Sequence, residues 1–239
     1  MAYPASFDDF LQSQVFLINL ERRPERLERS LQRIRDAGFT NIQVEAAVDA
    51  AKGDDHLATA WARHGSPRLN HCDAEFYSSF KGKQGCMLSH LNILQHVIQH
   101  EIPYFIVFED DVLFYEKWHT LASEYYANTP KTYDLLYLGA WIEGVCDTPV
   151  TTNPCLCTNA MAMTLEGAQR IYRFLTTHPY GAYTIDCMLY NYELKRTQNS
   201  DTKFEFSWFA WNTRHLTGDK DKKSGLVLQD DEFVSDVRP

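Results

Sequence analysis

Glu109, Asp110 and Asp111 place three carboxylates directly after the apolar run "YFIVF" and just before the apolar "VLF". A buried strand that ends in three like charges needs something to hold them together. Hard oxygen donors of this kind suit Mg²⁺ or Mn²⁺, which bind through one or two carboxylates while the phosphate oxygens of a substrate complete the shell. The two-residue alternation of a strand puts Glu109 and Asp111 on one side and turns Asp110 to the other. Two of the residues could then share an ion while the third takes a hydroxyl. The plainer reading is a turn after a strand, in which aspartates bond their own backbone. The three residues by themselves leave both readings open.

The opposite charge gathers in "ERRPERLER", where Arg22, Arg23, Arg26 and Arg29 fall within one short helical stretch. Such a segment is either a solvated helix face with Glu/Arg pairs at helical spacing or a cradle for a small anion. The net charge of -9 argues against a protein that coats nucleic acid, because phosphate binding is driven by Lys and Arg. Six cysteines (Cys72, Cys86, Cys146, Cys155, Cys157 and Cys187) follow no framework spacing, and "CLC" is too close for a zinc knuckle. They read as reduced, structural thiols, and nothing in the sequence marks Cys86 as an activated thiolate. The opening "MAYPASFDDFLQSQ" lacks a basic region followed by an apolar one, and no stretch approaches the roughly 18 apolar residues of a membrane span. The expectation is a soluble, cytoplasmic chain, or a domain cut from a longer precursor.

These groups must be positioned by a fold. "SQVFLINL" (13 to 20) is rich in β-formers and runs into a stretch in which Leu27, Leu31 and Ile34 recur at helical spacing. Pro24 suits the first turn of that helix, and Gly38 suits its end. "NIQVEAAVDA" (41 to 50) reads as a second strand, so the chain opens with a βαβ unit, the signature of a parallel sheet. Residues 51 to 80 predict a loop region with one short helix around "HLATAWARH". "GKQGCMLSHLNILQHVIQH" (82 to 100) predicts a helix with a wide apolar stripe.

Beyond the acidic cluster, "YEKWHTLASEYYANTP" predicts a helix, "YDLLYLGAW" and "CTNAMAMT" strands, and "LEGAQRIYRFLTTH" and "TIDCMLYNYELKR" helices. "KFEFSWFAWN" alternates as a half-exposed strand does, and the remainder reads as a loop and a tail over the domain. With 239 residues and 44% hydrophobic composition, the chain suits one compact domain over 1–239, with a core of about 13–216 and a C-terminal tail of 217–239. In an open α/β sheet, ligands bind beyond the carboxyl ends of the strands, which is where Glu109 to Asp111 would lie.

Several segments together resemble glycosyltransferase family 25, the group containing bacterial lipopolysaccharide galactosyltransferases and the collagen galactosyltransferases. They are "INLERRPERLERS", "EAAVDA", "GKQGCMLSHLNIL", "VFEDDVLF" followed by "YDLLYLG", "AMTLEGAQRI" with "TIDCML", and the closing "QDDEFVSDV". The likeness spans about residues 13 to 237. The chain departs from the family at Lys83, where an acidic residue is usual, and segments 51 to 80 and 195 to 225 offer no match.

The resemblance implies an α/β fold of the GT-A type, a single Rossmann-like, mostly parallel sheet flanked by helices. It implies transfer of a sugar, galactose before others, from a UDP-sugar donor to a glycan or glycoprotein hydroxyl with inversion, using Mn²⁺ or Mg²⁺. Glu109 and Asp111 would be metal ligands, with His215 in "NTRHLTG" as a third. Asn19, Arg22, Arg26, Asp49, Gly85, Ser89, His90 and Asp110 would form the donor site. Asp186, in "YTIDCML", would be the base that removes the acceptor proton; its plainer reading is a helix N-cap. For His90 the plainer reading is a packing histidine bonded to a neighbouring carbonyl. Two other functions compete with this one: a catalytically silent sugar- or protein-binding member of the same fold, and a Mg²⁺-dependent phosphotransferase. The absence of a G-x-x-x-x-G-K-[ST] loop weighs against the latter.

Overall fold

The computed structural model describes residues 3–65, 81–144, 146–177, 184–198, 206–217 and 224–230. Helix α1 (Phe7–Leu11) leads into β1 (Gln14–Asn19), α2 (Pro24–Asp36) and β2 (Ile42–Ala46). A 3₁₀ turn (Ala50–Lys52) and α3 (Asp54–Ala62) follow, and then α4 (Lys81–Gln99), β3 (Tyr104–Glu109), β4 (Val112–Phe114) and α5 (Trp118–Asn128). The remaining strands are β5 (Leu135–Tyr137), β6 (Gly139–Ile142), β7 (Val150–Thr151), β8 (Cys155–Leu156), β9 (Ala160–Thr164), β10 (Trp208–Trp211), β11 (Ser224–Gly225) and β12 (Val227–Gln229). Helices α6 (Leu165–Thr177), α7 (Ile185–Gln198) and α8 (Arg214–Thr217) complete the described elements.

Seven strands form the central sheet in the order β2-β1-β3-β9-β5-β10-β7. β2, β1 and β3 run parallel, as do β5 and β10; β9 runs against both β3 and β5, and β7 against β10. The fold is thus α/β with a mostly parallel sheet flanked by helices, as expected.

Alternation along the strands sorts the core into two layers. Phe16, Ile18, Phe105 and Val107 face α4, α6 and α7. Val15, Leu17, Ile106 and Phe108 face α1, α2 and α5.

Two expectations change at the far end. "YDLLYLGAW" is not one strand, because the chain leaves the central sheet after Tyr137 and Gly139–Ile142 pairs with β11 and β8 instead. Gly139 makes this possible: a Cβ there would sit 1.5 Å from the carbonyl oxygen of Val227. The expected tail is not all loop either. Its apolar Val227 and Leu228 pair β12 with β4, so residues 224–230 belong to the folded body.

A buried carboxyl ties α7 to the sheet. Glu193 accepts hydrogen bonds from the Tyr137 hydroxyl and the Cys155 amide, each at 2.8 Å, and is fully buried. Burial pushes its pKa up to about 8 despite those two bonds. The folded chain therefore keeps a proton that the unfolded chain gives up, so stability falls as pH rises from about 4.5 to about 8. Urea denaturation at pH 5 and pH 8 should show Glu193→Gln losing this slope, with a relative gain of about 3 kcal/mol at neutral pH. Parallel curves for the two proteins would exclude a proton on Glu193.

Candidate active site

The carboxyl ends of β1, β2 and β3 open onto a cavity of about 360 Å³. Its wall comes from the β1–α2 connection, the loop after β2, the first turns of α4 and the acidic cluster. A smaller cavity of about 150 Å³ adjoins it, and Cys86, Glu109 and Gln229 line both.

The strand alternation carries Glu109 onto the α4 side, but it does not reach Asp111. Asp110 and Asp111 lie in a turn beyond the strand end, and both swing toward α2. The Arg26 guanidinium bonds to Asp110 and lies 3.8 Å from Asp111. Arg26, Ser30 and Ile34 form the buried face of α2. The Ser30 hydroxyl donates to the Asp110 carbonyl at 2.8 Å, and Arg33 donates to the Val112 carbonyl at 3.0 Å. The arginine-rich helix is therefore a clamp on the acidic turn as well as a charged surface. Arg29 is exposed and reaches Asp230 at 3.7 Å.

Glu109 is held differently. Its Oε1 accepts from the Thr158 hydroxyl at 3.1 Å and the Cys86 thiol at 3.8 Å, and it lies 3.0 Å from His90 Nε2. Burial pushes the Glu109 carboxyl up, but the hydrogen bond and charge of His90, with the Thr158 and Cys86 bonds, outweigh it and hold the group below its ordinary value. Cys86 is pushed well up by burial and then by the charges of Glu109, Asp186 and Asp111, so it remains a thiol.

The loop after β2 forms the opposite wall. Ser89 donates to the Gly85 carbonyl at 2.7 Å and accepts from the Val48 amide at 2.9 Å, which pins that loop to α4. A Cβ at Gly85 would lie 2.4 Å from the Val48 carbonyl oxygen, so only glycine allows this approach. Arg22 Nε donates to Asp49 at 2.9 Å, and Asp49 also caps the 3₁₀ turn through the Ala51 amide.

Of the expected donor residues, Arg22, Arg26, Asp49, Gly85, Ser89 and Asp110 line the larger cavity together with Glu109 and Asp111. Asn19 and His90 stand back from it. Asn19 turns its amide onto the Leu20 carbonyl, and His90, one helical turn beyond Cys86, is buried behind Glu109. His90 bonds a carboxylate, not the carbonyl of a packing histidine. Asp186 lies in the smaller cavity with Lys83 and is the second residue of α7. Its carboxylate accepts the Cys187 amide at 2.8 Å, and Thr184, not Asp186, precedes the helix. His215 belongs to α8, but its side chain lies outside the described residues.

Sequence reasoning did not single out Gln229, Thr158 or Lys81. Gln229 donates to Asp111 Oδ2 at 2.6 Å, and the Asp230 amide donates to the Asp111 carbonyl at 2.6 Å. Asp230 also accepts from Arg33 at 2.7 Å. The match of "QDDEFVSDV" to a closing segment was the one signal that pointed there.

The sequence profile of glycosyltransferase family 25 (LPS biosynthesis protein) matches residues 12–189, and so covers every element that lines the larger cavity except β12. The chain belongs to glycosyltransferase family 25. Among relatives of this family 25 chain, procollagen galactosyltransferase 2 of Mus musculus is 28% identical over 132 residues, which cover 53% of the chain and 20% of the relative. The inactive glycosyltransferase 25 family member 3 of Mus musculus is 30% identical over 132 residues, 53% of the chain and 22% of the relative. The family 25 chain thus spans about a fifth of the length of these curated relatives. A solved glycosyltransferase involved in the glycosylation of the major capsid of PBCV-1 aligns over 93% of this chain and 94% of its own, at 9% identity and a TM-score of 0.48. Among the described residues, no helix of the family 25 chain is long and apolar enough to cross a membrane.

Proposed function

We propose that this chain transfers a hexose, galactose before others, from a UDP-sugar to a hydroxyl of a glycan or glycoprotein, with inversion. The observation that carries the reading is the pair of adjoining cavities with Glu109 at their junction. The larger is of the size that takes a nucleotide-sugar, and it offers Arg22 and Arg26 to a diphosphate beside three carboxylates. Asp186 lines the smaller, which in this reading takes the acceptor.

Carboxylates suit a hard cation: Glu109 and Asp111 both line the larger cavity, Glu109 is kept ionised, and Asp111 would turn from Arg26 and Gln229 to share the ion. Mn²⁺ or Mg²⁺ held there would neutralise the charge that develops on the leaving diphosphate. Arg26 fixes Asp110 and Asp111 in place, and Gln229 holds the Asp111 side chain. Lys81, which lines the same cavity and pairs with Asp54 at 2.8 Å, would turn to phosphate oxygens. Asp186 accepts the proton of the attacking hydroxyl.

Titration calorimetry with UDP tests the donor half. Binding should strengthen with Mn²⁺, and Asp111→Asn should weaken it at least about tenfold, the effect of losing roughly 1.4 kcal/mol from a ligand. UDP binding that ignores both Mn²⁺ and Asp111 would remove the metal from the reading. A second reading, a catalytically silent member, is favoured by the mammalian relatives named inactive. Hydrolysis of a panel of UDP-sugars separates the two, because a silent chain turns over none of them.

A further inference from the structure

We infer that Cys86, His90 and Glu109 form a binding site for a thiophilic divalent cation, with Zn²⁺ the best fit, distinct in its donor set from the hard-oxygen pair Glu109 and Asp111. Cys86 and His90 are four residues apart on α4, so one turn of helix stacks them on the same face. Both aim at one atom: Glu109 Oε1 is 3.8 Å from the Cys86 sulfur and 3.0 Å from His90 Nε2. The three ligand atoms all lie within 4.8 Å of one another.

A tetrahedral zinc ion, about 2.3 Å from sulfur and about 2.0–2.2 Å from nitrogen and oxygen, needs ligand atoms roughly 3.3–3.6 Å apart. The two Glu109 separations, 3.0 and 3.8 Å, lie within a few tenths of an ångström of that need, and the Cys86 sulfur and the His90 ring, within 4.8 Å of each other, draw together by rotation of the Cys86 side chain. Sulfur, imidazole and one carboxylate are a mixed soft set that suits zinc over manganese or magnesium.

Access and support are also in place. Cys86 and Glu109 line both cavities, so the fourth position of the ion opens to the junction, as in a three-ligand site that keeps one place for water. Thr158 bonds Glu109 Oε1 from behind and orients it. On binding, the sulfur–hydrogen bond of Cys86 breaks, its electron pair goes to the cation, and its proton leaves to water. His90 binds through Nε2 with its own proton on Nδ1. That nitrogen is buried and has no hydrogen-bond partner among the described residues. A histidine ligand without such a partner holds its ion about 10–100-fold more weakly than one that has it. Because Glu109 belongs to both sets, a cation held here excludes one shared between Glu109 and Asp111.

Co²⁺ titration of the whole chain tests the assignment without any donor or turnover, so the result is independent of the proposed activity. One equivalent should produce the thiolate-to-cobalt charge-transfer absorption, and one equivalent of Zn²⁺ should abolish it. Cys86→Ser, close in shape, should lose the band and bind Zn²⁺ at least tenfold more weakly in competition with a chromophoric chelator. His90→Gln should weaken binding while keeping a thiolate band at high Co²⁺. A wild-type protein without the band, or a band or zinc affinity unchanged in Cys86→Ser, overturns the site.

Discussion

Asp186→Asn should cut sugar transfer by roughly 10²–10⁴-fold while leaving UDP binding at the wild-type level. The asparagine is isosteric and keeps an oxygen to accept the Cys187 amide, so the first turn of α7 is preserved. What it loses is the ability to take a proton. Asp186 lines the smaller of the two cavities, so the walls of the larger one are untouched. Initial rates with UDP-galactose beside calorimetry with UDP give the two readouts. Full transfer by the variant would remove Asp186 from the chemistry, and lost UDP binding would make it a donor contact instead.

Arg26→Ala should destabilise the fold by about 3–5 kcal/mol, the range seen when one partner of a buried ion pair is removed. Arg26 is 6% exposed, and it faces Asp110 and Asp111, which are 7% and 6% exposed. Without it, two buried carboxylates would repel each other in the turn that carries the site. Arg26→Lys should recover part of the loss, because an ammonium restores the charge but not the planar fork. Chemical denaturation followed by tryptophan fluorescence measures both, and an alanine variant with the wild-type midpoint would mean that the pair contributes nothing net.

Local pattern made much of this molecule legible, and connectivity hid the rest. The β1–α2–β2 unit, α4 and β3 follow from periodicity, and Glu109 from its place at the end of an apolar strand. The division of labour among the three carboxylates did not follow. Two-residue alternation holds only while the backbone is extended, and the chain turns at Asp110, so Asp111 joins Asp110 on Arg26 instead of joining Glu109. The buried role of Arg26 was hidden because "ERRPERLER", with Glu25 and Arg29 four residues apart, reads equally well as a solvated helix face. Gln229 was invisible for a different reason. Its one signal, the family-like "QDDEFVSDV", names no partner, and that partner, Asp111, is 118 residues away. Asp186 was legible as an acidic residue opening a helix, but its cavity is assembled from β3, α4, α7 and the 157–159 segment, which no local window joins.

The pairing of β12 with β4 has a consequence for the order in which a nascent chain matures. Arg33 and Asp230, 197 residues apart, meet beside the acidic turn, and Gln229 holds Asp111 from the same strand. A ribosome releasing this chain would let the β1–α2–β2 half and α4 compact long before those last contacts exist. Proteolysis just before residue 224 would likewise spare all seven strands of the central sheet but unlatch the acidic turn. Full ordering of the acidic turn therefore waits for the synthesis of residue 230.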